Sequence, residues 1–208
     1  MANRSKLIGA LLVGGYILLR MVADPFFWRN FSEYYSYAFE VGFVALACFL
    51  FRGRFKFLSR PSKDDAIAII AAAVGGLLVY RAASWVGVPI PFDLNATETI
   101  FLLLVLGPIL EEAVFRLAIW EGFQALTGNS CATLVATTLL FAAGHFAAYW
   151  FVPAEFHGFV IYQTSYVILL GLAAGWRRRQ TNAISSAVVV HFGFNAGFFL
   201  ASRLFAGG

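Results

Sequence analysis

The segment 107–116, GPILEEAVFR, places two carboxylates and a guanidinium inside an apolar run that covers residues 100–126. Each charge costs about 2.5–3.5 kcal/mol at the centre of a membrane helix, so the three together require a reason. On a helix Glu112 and Arg116 lie four residues apart and can neutralise each other. Glu111 points about 100° away, without such a partner. A carboxyl group left alone in a low-dielectric setting is suited to general-base catalysis, and the simpler alternative is that all three charges hold helices together.

The composition is that of an integral membrane protein. Hydrophobic residues make up 61% of the 208 residues and charged residues 12%, and the mean hydropathy is +0.78, far outside the range of soluble domains. We predict an all-α, polytopic transmembrane helix bundle of seven spans, with an eighth short helix or a re-entrant segment as the alternative. We expect a single membrane domain over residues 1–208, with three generic spans in residues 1–96.

The distribution of the cations predicts the orientation of the chain. The net charge is +4, but the cations form short groups between apolar runs, which does not indicate a nucleic-acid partner. The segment 52–63 contains five cations in twelve residues, and the positive-inside rule makes it cytoplasmic. The same topology places the N terminus and the arginines of residues 177–179 in the cytoplasm, and the C terminus outside.

The C-terminal half brings further polar groups into apolar helices. His145 lies in the predicted fifth span, and His191 and Asn195 share a face of the seventh. A lone histidine in such a helix is usually a packing residue, but several polar groups in one half of the chain all need partners. The rise per residue places Glu111 about 20 Å, His145 about 22 Å and His191 about 15 Å from the starts of their spans, between the bilayer middle and its outer leaflet. Pro108 predicts a kink just before the acidic pair.

Several classes of hydrolytic chemistry fit this set poorly. No serine lies in a nucleophile-elbow context, and neither Cys48 nor Cys131 neighbours a histidine. A zinc site of two histidines and a glutamate is chemically feasible, but HExxH and its permutations are absent, so zinc is the minority alternative. The two cysteines support no disulfide framework or thiolate metal site.

Metal-free hydrolysis of an amide suits the polar groups best. Glu111 and His145 would hold and deprotonate a water molecule, while His191 and Asn195 would donate hydrogen bonds to the developing oxyanion. The ion pair of Glu112 with its neighbouring arginine would orient the site. These assignments require neither a cofactor nor a metal.

Three motifs in this order resemble those of the CPBP family. They are EExxxR (Glu111, Glu112, Arg116), FxxxH (Phe141, His145) and HxxxN (His191, Asn195). This family, also called Abi, contains the CAAX-type intramembrane glutamic endopeptidases and the type II CAAX prenyl endopeptidases. The resemblance covers about residues 98–205 and implies a catalytic core in residues 97–208 with the residue roles given above. The family often has glycine where this chain has Leu117, a departure that concerns local packing more than catalysis.

The resemblance implies an intramembrane endopeptidase in a bacterial inner membrane, with the N terminus in the cytoplasm. Its partners would be membrane lipid and a protein or peptide substrate with a C-terminal membrane-associated segment. Because the predicted topology opens the site outward, we expect C-terminal processing of exported, membrane-anchored proteins. The alternatives are CAAX-type processing of prenylated proteins and a non-catalytic bacteriocin-immunity or scaffold protein. A proton-coupled transporter is less consistent with the sequence, because its two halves show no inverted repeat of broken helices.

Overall fold

The computed structural model describes residues 2–30 and 34–205, and within these ranges all regular secondary structure is helical. The helices, labelled in chain order, are α1 (Ala2–Asn30), α2 (Tyr34–Leu50), α3 (Lys63–Val86), α4 (Thr97–Phe101), α5 (Gly107–Glu112), α6 (Trp120–Thr127), α7 (Ser130–Phe146), α8 (His157–Thr181) and α9 (Ile184–Phe205). Two short 3₁₀ helices, Ala147–Trp150 and Ala154–Phe156, connect α7 to α8.

Four helical segments of the described chain are long and apolar enough to cross a membrane: Lys63–Val86, Ser130–Trp150, Ala154–Thr181 and Ile184–Phe205. A shorter apolar helix occupies Tyr35–Leu50. Their outward faces are apolar, as Ile67, Leu139 and Leu200 illustrate, each more than half exposed. The prediction of an all-α membrane bundle is confirmed, while the number of seven crossings stays a prediction.

The helix that contains the acidic pair is a continuous rod with two π-helical segments. The first segment, π1, is Leu102–Leu106, and the second, π2, is Ala113–Ile119, so the two flank α5. At the end of π1 the N–H of Gly107 donates to the carbonyl of Leu102, five residues back. Pro108 follows directly and has no N–H to donate. The irregularity expected at the proline is therefore a change of helical hydrogen bonding on both sides of the glutamates, and π-helical turns are frequent at functional sites.

Helices α3 and α9 approach each other backbone to backbone. A Cβ atom at Gly76 would overlap the carbonyl oxygen of Phe194, and one at Gly197 would overlap the carbonyl oxygen of Ala73. Gly76 and Gly197 thus allow the two helix backbones to pack closely. The contact fixes α9, which contains His191, against the N-terminal half of the chain.

A cluster of aromatic and aliphatic side chains packs α1 and α2 against π2 and α7. Its buried members include Leu12, Tyr16, Phe43, Phe115 and Phe141. Tyr16 contacts Phe43 with ring centroids 4.8 Å apart and Phe115 at 5.9 Å. The N-terminal helices therefore support the irregular helix that contains the acidic pair.

The basic segments of the chain lie at one end of the bundle. Arg4 lines a groove with Arg52 and Arg54, and Arg54 lines a second groove with Arg178 and Arg179. A backbone hydrogen bond also joins the segment 52–63 to the start of α9, since the N–H of residue 184 donates to the carbonyl of residue 56 at 3.1 Å. This grouping agrees with the predicted topology, while the compartment that this end faces stays a prediction.

Candidate active site

The ion pair of Glu112 in α5 with Arg116 in π2 is completely buried. Glu112 and Arg116 are both 0% exposed, and the Nε atom of Arg116 lies 3.3 Å from Oε2 of Glu112. The guanidinium donates from Nη2 to the carbonyl of Gly171 at 3.0 Å and lies 4.8 Å from the ring centroid of Phe141. At residue 171 a Cβ atom would come within 3.1 Å of Nη2, so a side chain there would crowd the guanidinium. The pairing predicted from the four-residue spacing is confirmed.

The backbone carbonyl of Arg116 accepts a hydrogen bond from a second buried arginine, Arg178. The N–H of Trp120, which would bond to the carbonyl of Arg116 in a regular α-helix, donates to Leu117 instead. Arg178 donates from Nε to the Arg116 carbonyl at 3.0 Å, and its Nη2 lies 3.3 Å from Glu121. Because Arg178 is only 1% exposed, this contact is part of the protein interior. The arginines of residues 177–179 were interpreted from the sequence only as a topology signal, so the contact was missed.

His191 lies between the buried ion pair of Glu112 with Arg116 and the second glutamate, Glu111. Its Nδ1 lies 2.9 Å from Oε1 of Glu112, and its Nε2 lies 3.9 Å from Oε2 of Glu111. An ionised carboxylate only accepts hydrogen bonds, so Nδ1 bears the proton in the contact with Glu112. The Nε2 atom is left to face Glu111. The sequence placed Glu112 against Arg116 alone and gave no indication that it also holds the histidine.

Glu111 has the opposite environment to its neighbour. Its side chain is 33% exposed. Among the described residues, its Oε2 atom is buried without a hydrogen-bond partner. A buried, unsatisfied carboxylate oxygen is unfavourable unless a water molecule or a ligand completes it. Glu111 can therefore accept a hydrogen bond from a water molecule or a ligand in the interior of the protein.

His145 is held in one tautomer by the backbone of its own helix. Its Nδ1 lies 3.1 Å from the carbonyl oxygen of Phe141. Since a carbonyl oxygen only accepts, Nδ1 donates and Nε2 of the neutral ring retains its lone pair. The ring of Phe141 packs edge-on against His145 at 4.6 Å and against His191 at 6.0 Å. The phenylalanine of the FxxxH motif thus fixes both imidazoles.

Asn195 is anchored to the first π-helical segment. Its Nδ2 donates to the carbonyl of Leu103 at 2.8 Å. An amide nitrogen has two protons, so one N–H remains for another acceptor. The π1 segment therefore orients the side chain of a residue on α9.

One cavity of about 100 Å³ brings the four residues predicted to be catalytic together. A volume of this size holds a few water molecules. Glu112 and Arg116 lie behind His191, outside the lining. The residues that line the cavity are Phe92, Leu102, Leu103, Gly107, Glu111, His145, Gln163, Tyr166, Val167, Leu170, His191, Phe194, Asn195 and Phe198.

The sequence prediction of the site did not include ten of the fourteen lining residues, among them Gln163 and Phe92. Gln163 is a polar side chain within the apolar α8, and that contrast is a signal that the sequence contains. Phe92 comes from the loop between α3 and α4, and its ring packs edge-on against Phe159 at 5.5 Å. Nothing in the sequence pattern distinguishes Phe92 from other phenylalanines.

Potential metal ligands do not form a recognisable site in the part of the chain that the structure describes. Within it, no three His, Cys, Asp or Glu side chains are placed to hold a metal ion. The Nδ1 atom of His191 is already bonded to Glu112.

Comparison with protein families identifies the class of this bundle. A family described as Rce1-like, type II CAAX prenyl endopeptidase Rce1-like, matches residues 93–197, about half of the chain. All six polar residues of the three motifs lie within the matched segment. Comparisons with curated proteins and with solved structures gave no match. Residues 93–197 therefore show that the chain belongs to the Rce1-like family of type II CAAX prenyl endopeptidases, a family of membrane proteases.

Proposed function

We propose that the chain is an intramembrane endopeptidase of the glutamic type, which hydrolyses a peptide bond near the membrane surface. The observation that supports this most is the Oε2 atom of Glu111, which has no hydrogen-bond partner among the described residues and lies in the same cavity as His145. A carboxylate and a neutral imidazole beside a water-sized space are the groups that general-base activation of water requires. Family membership supports the peptidase activity independently of this geometry.

In the proposed first step, a water molecule is held between Glu111 and the Nε2 lone pair of His145. The carboxylate takes a proton as the water oxygen attacks the carbonyl carbon of the substrate, which forms a tetrahedral oxyanion. When the C–N bond breaks, the same proton is transferred to the leaving amine. Glu111 thus ends the cycle ionised, and no covalent intermediate with the protein is formed.

His191 and Asn195 would stabilise the oxyanion. The Nδ1 proton of His191 is bonded to Glu112, so the ring donates from Nε2 only as an imidazolium. In that form the ring would have a carboxylate on each side, with Oε1 of Glu112 at 2.9 Å and Oε2 of Glu111 at 3.9 Å. The second N–H of Asn195 supplies the other donor, and preorganised donors of this kind each contribute about 10²–10³ in rate.

The ion pair of Glu112 and Arg116 would orient the site without touching the substrate. One carboxylate oxygen of Glu112 bonds to His191 and the other faces Arg116, so the position of the imidazole depends on the arginine. Arg116 is in turn fixed by the carbonyl of Gly171.

For the substrate, we propose exported proteins with a C-terminal membrane anchor. The loop that contains Phe92 is external in the predicted topology and lines the cavity, which supports access from that side. Against this, α9 begins at Ile184, so His191 lies about 10 Å from the helix start rather than the 15 Å expected from the sequence. If reporter fusions place the 147–158 loop in the cytoplasm, the outward opening is wrong, and CAAX-type processing of cytoplasmic prenylated proteins takes precedence.

The direct test is a cleavage assay on a membrane-anchored peptide with purified protein. Glu111→Gln and His145→Ala should each lower the rate by about 10²–10⁴, the usual contribution of general acid–base catalysis. Glu98→Gln, which changes a carboxylate of the same rod outside the cavity lining, should retain activity. Activity that persists in Glu111→Gln protein contradicts the proposed mechanism. Loss of a cellular phenotype in Glu111→Gln cells separates a protease from a bacteriocin-immunity or scaffold protein, whose binding should survive this substitution.

The same cleavage assay tests whether catalysis requires a zinc ion. We propose that the active protein contains no stoichiometric zinc and that chelators leave its rate unchanged. Zinc bound at one equivalent, with activity lost on chelation and restored by zinc, would contradict the metal-free mechanism.

A further inference from the structure

A groove between the start of α1 and the end of α2 contains an unusual concentration of cations. We call it the arginine groove, and its volume is about 400 Å³. It is lined by Arg4, Ser5, Ile8, Phe49, Leu50, Arg52 and Arg54. It lies at the basic end of the bundle, away from the cavity that contains Glu111.

The positive charge of the arginine groove is only partly neutralised by the side chains that the structure describes. Among those side chains, no carboxylate lines the groove or lies within ion-pair distance of Arg4, Arg52 or Arg54. The neighbouring groove contains Glu121, which attracts Arg54 electrostatically but is ion-paired with Arg178 at 3.3 Å. Three guanidinium groups that share one distant carboxylate form a site for an anion.

The arginines are held beside exposed apolar surface. The guanidinium of Arg52 lies 4.5 Å from the ring centroid of Phe49, and that of Arg54 lies 5.6 Å from the ring of Phe51. Phe49 is 61% exposed and Leu50 is 37% exposed. A ligand in this groove would therefore meet guanidinium groups and apolar side chains together.

We propose that the arginine groove binds an anionic phospholipid. The guanidinium groups would hold the phosphate through charge-assisted hydrogen bonds, and an acyl chain would lie against Ile8, Phe49 and Leu50. A free phosphate ion would use only the guanidinium groups, so the exposed apolar residues favour the lipid. This inference is independent of the catalytic proposal, because none of these residues lines the cavity around Glu111.

The test uses the full chain purified in a neutral detergent, with short-chain phosphatidylglycerol, short-chain phosphatidylcholine and inorganic phosphate as separate probes. Lipid retention is measured by native mass spectrometry, with thermal unfolding as a second readout. Phosphatidylglycerol should bind saturably, and the double variant Arg52→Gln/Arg54→Gln should bind it about thirtyfold more weakly, since each arginine near an anionic surface contributes about a factor of five.

The matched control is Arg81→Gln at the other end of the bundle. Arg81 is also exposed and also stacks on a phenylalanine, with its guanidinium 4.3 Å from the ring of Phe205. This variant should bind phosphatidylglycerol as the wild type does. Equal loss in both variants, or no loss in the double variant, would overturn the proposal.

The wild-type protein supplies a test that does not depend on the variants folding. Binding of phosphatidylglycerol should weaken as the salt concentration rises, because exposed guanidinium groups are screened. Equal binding of phosphatidylcholine would show that charge does not select the lipid, and an equal effect of inorganic phosphate would show that the apolar surface is not used. Either result would overturn the proposal.

Discussion

Two adjacent glutamates in this chain have opposite environments. Glu112 is fully buried, hydrogen-bonded to His191 and ion-paired with Arg116, whereas Glu111 is partly exposed, borders the cavity and has no arginine beside it among the described residues. The difference follows from the helix, which turns about 100° per residue and so points neighbouring side chains at different surroundings. Chemically identical groups are therefore suited to different tasks.

Thermal stability should separate the two glutamates. Glu112→Gln leaves the buried guanidinium of Arg116 without its counter-charge, which should destabilise the protein by about 3–5 kcal/mol. Glu111→Gln removes no ion pair of that kind and should leave the unfolding temperature nearly unchanged while abolishing cleavage. Unfolding of both variants in the same detergent checks this, and similar losses of stability would contradict the assignment.

The sequence predicted one of the two contacts of Glu112. Its pairing with Arg116 is local, since a four-residue spacing on a helix brings the groups together. Its bond to His191 joins residues 79 positions apart in the chain and depends on how α9 packs against the rod. Periodicity within one helix contains no information on that packing.

At the scale of elements, the π-helical segments determine where the polar side chains point. The π2 segment leaves the carbonyl of Arg116 to a donor from α8, and π1 presents the carbonyl of Leu103 to Asn195. Pro108 indicated an irregularity in this helix, but one proline does not specify two π-helical segments. The irregular helix and the candidate active site are therefore a single structural unit.

Arg178 should affect the rate of peptide cleavage through its hydrogen bond to the irregular helix. Arg178→Lys retains a charge for Glu121 but loses the planar group that bonds to the carbonyl of Arg116. We expect kcat to fall by about tenfold to a hundredfold with KM nearly unchanged, because a small displacement of the catalytic groups is costly. Arg179→Lys is the control, since this exposed neighbour bonds only to Ser130 among the described residues. Equal kinetics in the two variants would exclude a positioning role for Arg178.

A single added methyl group should weaken the contact between α3 and α9. Gly197→Ala places a Cβ atom against the carbonyl of Ala73, so the helices must separate, at a cost of about 1–3 kcal/mol. Gly14→Ala in α1, where a Cβ atom meets nothing within 4 Å, should instead stabilise the helix by about 0.5–1 kcal/mol. Unfolding measurements on both variants check the opposite signs, and a neutral Gly197→Ala would contradict the close packing.

At the scale of the whole molecule, the sequence predicted the helical bundle and the common location of its polar residues. Hydropathy identified the helices because lipid requires the chain to satisfy its backbone internally. The high free-energy cost of polar groups in lipid then predicted that Glu111, His145, His191 and Asn195 would meet, and they line one cavity. The part of the cavity wall formed by Phe92 could not be predicted from the sequence, and neither could the arginine groove. Both depend on how loops and helix ends are placed.

The central claim is that Glu111 activates the water that cleaves membrane-anchored proteins. Mass spectrometry of the C termini of membrane proteins, compared between cells with wild-type and Glu111→Gln protein at equal abundance, tests it most directly. We predict a set of shortened C termini that appears only with the wild-type protein. Identical C termini in the two cell populations, or shortened termini that persist with Glu111→Gln, would contradict the claim.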